Sequence, residues 1–173
     1  AFATLEKPRT QEGNPDKADA KAKTNNYVSE LATAVEKGHS KQGLTLVILN
    51  TVERAVELYT TLHERKNLAG VDLHLIHSRF RPMERDTWKP LFSNGEQRQR
   101  IIISTQVVEA AVDISADVLF TELAPWASLV QRFGRCARFP EQNSTIFWMD
   151  IGLGTEKQPN DVFARPYEQA ELL

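Results

Sequence analysis

Five short apolar runs, set apart by segments with helical periodicity, constrain this chain more than any other feature. They are Leu44–Leu49, Val71–Ile76, Ile101–Ser104, Val118–Phe120 and Thr145–Asp150. Compact apolar runs of this length with β-branched centres read as buried strands. Helical faces lie between them. Val28, Leu31, Ala32 and Val35 recur at spacings of three and four over Tyr27–Lys37, and Gly38 ends that helix. Val52, Ala55, Val56, Tyr59 and Leu62 form a second face, with Asn50 placed as its cap and Glu53 at the N3 position of a capping box. Pro82 suits the first turn of a third helix, with Met83, Trp88, Leu91 and Phe92 on its buried side and Pro90 ending it early. Gln106–Ala111 reads as a short helix or turn. Trp126–Arg138 reads as a helix with Leu129, Val130 and Phe133 inward. Strands alternating with helices predict an α/β fold: a mostly parallel sheet of about five or six strands, with helices on both faces. Sites in such folds gather beyond the carboxyl ends of the strands.

The remaining chain is less structured on paper. Residues 1–26 are polar and read as a linker or flexible loop, 27–151 as one lobe, and 152–173 as the start of a following segment with a weak helix at Tyr167–Leu172. The length of 173 residues suits one domain. Hydrophobic residues at 41% and charged residues at 25% exclude a collagen-like or wholly disordered chain. A formal charge of −2 excludes a bulk polycation, so any nucleic acid must be held at a local site. The single cysteine, Cys136, excludes an intrachain disulfide and a multi-cysteine zinc site, and fits a reducing cytoplasm. The apolar runs are far too short to span a bilayer, and no secretory signal is visible. A chain opening at Ala1 without Met reads as a piece of something longer.

Three segments carry chemistry. Ser104–Ser115 leaves a strand and gathers Ser104, Thr105, Gln106, Glu109 and Asp113 in one turn-rich stretch. Hydroxyls and backbone N–H groups at a helix start suit a phosphate oxygen, and the Asp113 carboxylate suits a ribose hydroxyl or a partner cation. The plainer alternative is that Thr105 and Asp113 are caps. In Gln131–Arg138, Gln131, Arg135 and Arg138 fall at i, i+4 and i+7, on one face of a continuous helix. Two guanidinium groups directed at one point suit a triphosphate. Gly134 weakens a helix by about 1 kcal/mol relative to Ala, which points to close backbone approach there. The third segment, His77–Arg81, follows a strand and places Ser78 and Arg79 where a nucleic-acid backbone could lie; Thr51 is similarly placed after the first strand. Each arginine alone could equally be a solvated surface group.

The chain contains no Gly-x-x-x-x-Gly-Lys-Ser/Thr loop, no magnesium-holding acidic motif on a strand end, no metal-ligand spacing among its histidines and no nucleophile elbow. No metal site is expected. Cys136 reads as packing, with a reactive thiol not expected. The arginines could complete an ATP site whose phosphate-holding parts are not in this sequence.

The segments Ser104–Ser115 and Gln131–Arg138 resemble motifs V and VI of superfamily 2 helicases. The wording is closest to the Cas3 helicases of type I CRISPR systems, in Thr105–Ala110, Val112–Ser115, Glu122–Trp126, Gln131–Cys136 and His77–Phe80. The resemblance covers roughly Leu44–Asp150. It implies the second of two RecA-like lobes. It also implies that Arg135 and Arg138 reach ATP phosphates bound by the first lobe, and that Gln131 positions the γ-phosphate or attacking water. Asp113 would contact the ribose or the motif VI arginines. Thr105, Ser78, Arg79 and Thr51 would hold the backbone of single-stranded DNA. Mg2+ and most of the ATP contacts would belong to the first lobe, so this lobe by itself is expected to be inactive. The implied partners are that first lobe, an HD nuclease in the same parent protein and the Cascade complex. Ala111 stands where the family usually has Gly, and Ala does not take positive φ freely. Two other readings fit the same motifs: another superfamily 2 DNA or RNA helicase, or a non-catalytic binding module with a RecA-like shell.

Overall fold

The computed structural model describes residues 2–5, 17–39, 43–79, 99–110, 113–138, 142–149 and 167. The helix expected over Pro82–Phe92, position Ala111 and the tail other than Tyr167 lie outside them. The elements run β1 (Phe2–Leu5), α1 (Lys17–Gly38), β2 (Leu44–Ile48), α2 (Val52–His63), a 3-10 turn (Lys66–Leu68), β3 (Asp72–Ile76), β4 (Arg100–Ser104), a second 3-10 turn (Gln106–Val108), β5 (Val118–Glu122), α3 (Trp126–Phe133) and β6 (Thr145–Met149). The six strands form one sheet in the order β1-β6-β5-β2-β4-β3, and every pairing is parallel. All five apolar runs are strands in it.

Side-chain alternation divides the core in two. Val47 and Leu49 of the β2 run, Ile101 and Ile103 of β4, Val118 and Phe120 of β5, and Met149 of β6 point to one face. There they meet Tyr27, Val28, Leu31, Ala32 and Val35 of α1 and Ala55, Leu58 and Leu62 of α2. Leu44, Leu46, Ile48, Ile76, Ile102 and Leu119 point to the other face, against Val108, Ile114, Ala116, Cys136 and part of Phe133. A strand covered on both faces favours apolar residues pointing both ways, which is why Leu46–Leu49 and Ile101–Ile103 read as solid runs.

Two expectations about element extent are corrected. Residues 1–26 are not simply a linker: Phe2–Leu5 pairs with Ile146–Met149 as an edge strand, and α1 begins at Lys17, so the lobe is not confined to 27–151. Strand pairing uses backbone groups, and four residues carry too little pattern to announce it. The Lys- and Ala-rich stretch before Asn26 favours helix by propensity, although it lacks an apolar stripe. The expected helix Trp126–Arg138 ends at Phe133. Gly134 caps it, with its N–H donated to the Val130 carbonyl. A Cβ at Gly134 would meet only the Gln131 and Val130 carbonyl oxygens at 3.4 Å, so no other part of the described protein crowds it, and the glycine stands at the helix end. On α3 the buried residues are Leu129 and Arg132, while Val130 is 49% exposed rather than inward.

Gly38 does have a steric role. A Cβ there would lie 2.9 Å from Phe120 Cζ and 3.4 Å from Phe147 Cε2. Those two rings stack at 4.6 Å, and Phe120 is fully buried, so neither yields readily. Gly38→Ala is therefore expected to lower unfolding free energy by about 1–3 kcal/mol, against the helix preference of Ala. Urea denaturation would show the midpoint fall, and in a Phe120→Leu background the same substitution should cost much less.

Candidate nucleotide and nucleic-acid edge

The chain leaves β2 toward β3 and leaves β5 toward β6, so strand order reverses between β2 and β5. Open parallel sheets bind ligands beyond the carboxyl ends of such strands. Here those ends carry a buried polar cluster made of Asn50, Arg54, Glu122 and Arg132, exposed by 2%, 4%, 0% and 0%.

Glu122 ends β5. Its carboxylate accepts from Arg54 Nε and Nη2, both at 2.8 Å, from the Tyr27 hydroxyl at 3.0 Å and from the Asn50 N–H at 2.6 Å. Burial, and then the Glu122 charge, push the Tyr27 phenol well above its ordinary pKa. Burial works against the Arg54 charge, but Glu122, helped by Tyr27 and Glu53, leaves that pKa raised. Arg132 Nε donates to Glu109 Oε1 at 2.8 Å. Its Nη1 donates to Thr121 Oγ1 and the Glu122 carbonyl, both at 3.1 Å. Its Nη2 donates to Asn50 Oδ1 at 3.1 Å and the Tyr167 hydroxyl at 3.3 Å. All five N–H groups of the guanidinium are thus engaged.

Asn50 is not the cap of α2. Its side-chain N–H donates to the Leu123 carbonyl at 2.7 Å, and Thr51 takes the cap position, accepting from the Arg54 N–H at 3.3 Å. An Asn at the end of a buried strand finds stronger demand from Arg132 and the β5 end than from a helix terminus.

Of the candidate ATP residues, Asp113, Arg135 and Arg138 come together, but not on a helix. Gln131 is exposed on α3, whereas Arg135 and Arg138 lie in the loop beyond it, so the expected single helical face is absent. That loop is held against the sheet. Cys136 bridges Ala116, and the Ala116 N–H donates to the Arg135 carbonyl at 2.8 Å. Ala137 adopts φ 44°, a left-handed conformation that costs a non-glycine residue about 1–2 kcal/mol. The Arg138 N–H then bonds Ser115 Oγ at 3.0 Å, and its guanidinium forms an ion pair with Asp113. Arg135 Nη2 donates to the Glu109 carbonyl at 2.6 Å. Burial, and then the Arg138 charge, lower the Arg135 pKa. Two guanidiniums beside one exposed carboxylate leave a net positive spot that suits phosphate oxygens.

The candidate DNA residues form a second group. Arg79 Nη2 pairs with Glu53 Oε1 at 2.6 Å on the first turn of α2, next to Thr51. The backbone N–H of Glu53, and then Arg79, hold the Glu53 carboxyl below its usual pKa. Ser78 and Arg79 are both exposed. Thr105 is 2% exposed, and its N–H donates to the Ile76 carbonyl at 3.3 Å, so neither group is open to a phosphate as it stands. Its hydroxyl makes no cap bond to the turn that follows. Cys136 packs in the second core, where burial, and then Asp117, push its thiol up to about 12. No described helix is long and apolar enough to cross a membrane.

The sequence gives Arg54 and Arg132 no role, places Glu109 only among the polar residues of its turn, and names Glu122 only as part of the Glu122–Trp126 wording. The only prior signal was an arginine three residues after Leu129, on a face read as apolar. Removing Arg54 would leave Glu122 buried beside fewer donors. Arg54→Ala is expected to destabilise the fold by about 3–5 kcal/mol, measured by chemical denaturation. Arg54→Ala with Glu122→Gln should recover part of that loss.

The family model described as "CRISPR-associated nuclease/helicase Cas3, C-terminal" matches residues 41–141. The chain is 36% identical over 129 residues to a putative CRISPR-associated nuclease/helicase Cas3 of Methanocaldococcus jannaschii, covering 70% of this chain and 16% of that protein. It therefore spans about a sixth of that relative's length. Among solved structures it is similar to T. fusca Cas3-ATP, with a TM-score of 0.70 and 24% identity over 85% of this chain and 19% of the other. It is also similar to a chain of a CRISPR RNA-guided surveillance complex in a pre-nicking state, with a TM-score of 0.64 and 23% identity over 99% of this chain and 21% of that one. These two structural likenesses are of fold: a RecA-like lobe.

Proposed function

This chain belongs to the C-terminal domain family of the CRISPR-associated nuclease/helicase Cas3, and on that premise we propose that it is the second RecA-like lobe of an ATP-dependent, single-stranded-DNA-stimulated helicase. The observation that carries the reading is the convergence of Asp113, Arg135 and Arg138 where the loop after α3 packs on the segment that leads into β5. In the closed enzyme, Arg138 leaves Asp113 for phosphate oxygens of ATP held by the first lobe. Arg135 joins it there, and both neutralise charge that builds during phosphoryl transfer. Gln131 orients the γ-phosphate or the attacking water, and Asp113, once released, is free for the ribose. Mg2+ supplies charge neutralisation when bound; its ligands belong to the first lobe.

At the second group, Arg79 exchanges Glu53 for a DNA phosphate. Ser78, Thr51 and Thr105 add neutral hydrogen bonds to the backbone. Both arginine exchanges replace an exposed ion pair, worth roughly 1 kcal/mol or less, and so are cheap to break. Lobe closure on ATP and reopening after hydrolysis would step the protein along one strand. The lobe by itself turns over no ATP. The parent protein also carries an HD nuclease, is recruited by the Cascade complex and works in the cytoplasm.

The test is ATP turnover by the intact parent protein, wild type against Arg138→Ala, with single-stranded DNA, single-stranded RNA or neither. DNA should stimulate and RNA should not. Arg138→Ala should lower kcat by about 10³-fold or more, with ATP affinity changed only slightly. Arg138→Lys should not restore it, because an ammonium lacks the planar fork. Equal stimulation by RNA would reduce the reading to a generic helicase, and a fully active Arg138→Ala would sink the role of this loop.

A further inference from the structure

Glu109 occupies a junction that its sequence position does not reveal. Its carboxylate accepts from Arg132 Nε at 2.8 Å, while its backbone carbonyl accepts from Arg135 Nη2 at 2.6 Å. The same residue closes the turn that starts at Thr105: the Glu109 N–H bonds the Gln106 carbonyl at 2.9 Å, and the Val108 N–H bonds the Thr105 carbonyl at 3.4 Å. Gln106 Nε2 in turn donates to the Asn50 carbonyl at 3.0 Å. One turn therefore touches a candidate DNA residue at its start and a candidate ATP residue at its end.

We propose that Glu109 is a positioning residue that transmits movement of the Thr105–Glu109 turn to Arg135, with Arg132 as its fixed anchor. This rests on the function proposed above. Arg132 is fully buried and held by four further bonds to the ends of β2 and β5 and to Tyr167, so it cannot follow Glu109 far. Thr105 cannot meet a DNA phosphate from its present burial of 2% exposure. Engaging DNA there requires the turn to shift. A shift moves the Glu109 carbonyl and with it the donor end of Arg135, pivoting on the Arg132 ion pair. Glu109 need not touch DNA or ATP to do this. The route from Thr105 to Arg135 runs through the backbone of this hydrogen-bonded turn and across the Glu109 carbonyl, and by it occupancy at one site biases the other.

The readout is the ratio of ATP turnover with saturating single-stranded DNA to turnover without it, in the intact parent protein. A loss of stability scales both arms alike, whereas a loss of transmission changes the ratio. Glu109→Ala is expected to cut the ratio by about 5–150-fold, the range of ordinary coupling between sites, with KM for ATP little changed. Glu109→Gln keeps an oxygen for Arg132 and should retain most of the stimulation. Glu109→Asp keeps the charge but is one methylene short of Arg132 and should lose it, so this variant decides if the alanine protein does not fold. Arg65→Ala removes a tie to Glu36 between α1 and the end of α2, and should lower stability without moving the ratio. An unchanged ratio in Glu109→Asp, or equal loss in both arms, overturns the proposal. If wild type is stimulated and Arg138→Ala inactivates it while Glu109→Asp behaves as wild type, only the transmission role fails. If wild type itself shows no stimulation, the proposed function fails with it.

Discussion

A guanidinium with no exposure to water organises this lobe. Arg132 comes from the last turn of α3, yet its five donors end on β2, β5, the turn after β4 and Tyr167. Burying a cation is expensive unless every donor is satisfied and a counter-charge is near. Glu109 supplies the counter-charge, and strand-end carbonyl, amide and hydroxyl oxygens supply the rest. Because the acceptors lie on four separate segments, the arginine is satisfied only when all of them are in register. The net gain in stability from such a cluster is small, but the geometry it permits is narrow. That narrowness suits an edge where phosphate-binding groups must be placed within fractions of an ångström.

A second buried pair works beside it. Glu122 and Arg54 close bidentately, and the Tyr27 hydroxyl reaches Glu122 from α1. The carboxyl ends of β2 and β5 are thereby tied to both helices of the first face. The Glu122 carbonyl also accepts from Arg132, so the two charged clusters share one residue. The exposed pairs, Arg138 with Asp113 and Arg79 with Glu53, sit outside this rigid frame. Weak pairs at the rim and strong ones beneath allow rim arginines to change partners without disturbing the fold.

The strands and the site segments were readable because buried parallel strands and helicase-like motifs both leave dense local signals. The sequence reading carries the Trp126 helix on to Arg138, five residues too far, since Arg and Ala are compatible with helix; Gly134 caps it at Phe133, and the pairing of Cys136 with Ala116 holds the chain beyond it away from a helical path. Asn50 was read as a cap because Asn-x-x-Glu is a local signature, but a buried arginine 82 residues away competes for it. The edge strand Phe2–Leu5 was missed because its partner, β6, lies at the far end of the described chain. Thr105 was singled out for its hydroxyl, and the local pattern could not show that the strand end and turn bury it.

The residues by themselves determined the period of each element, the parallel α/β class, the absence of a phosphate loop from this sequence, and the family. These depend on local spacing and on motif wording. Only the tertiary structure decided that Arg132 is buried and Arg138 is not, that Thr51 and not Asn50 caps α2, and that Glu109 joins the two candidate sites. Each of those depends on which partner wins a hydrogen bond between segments far apart in sequence, and that competition is settled by the packing of the sheet.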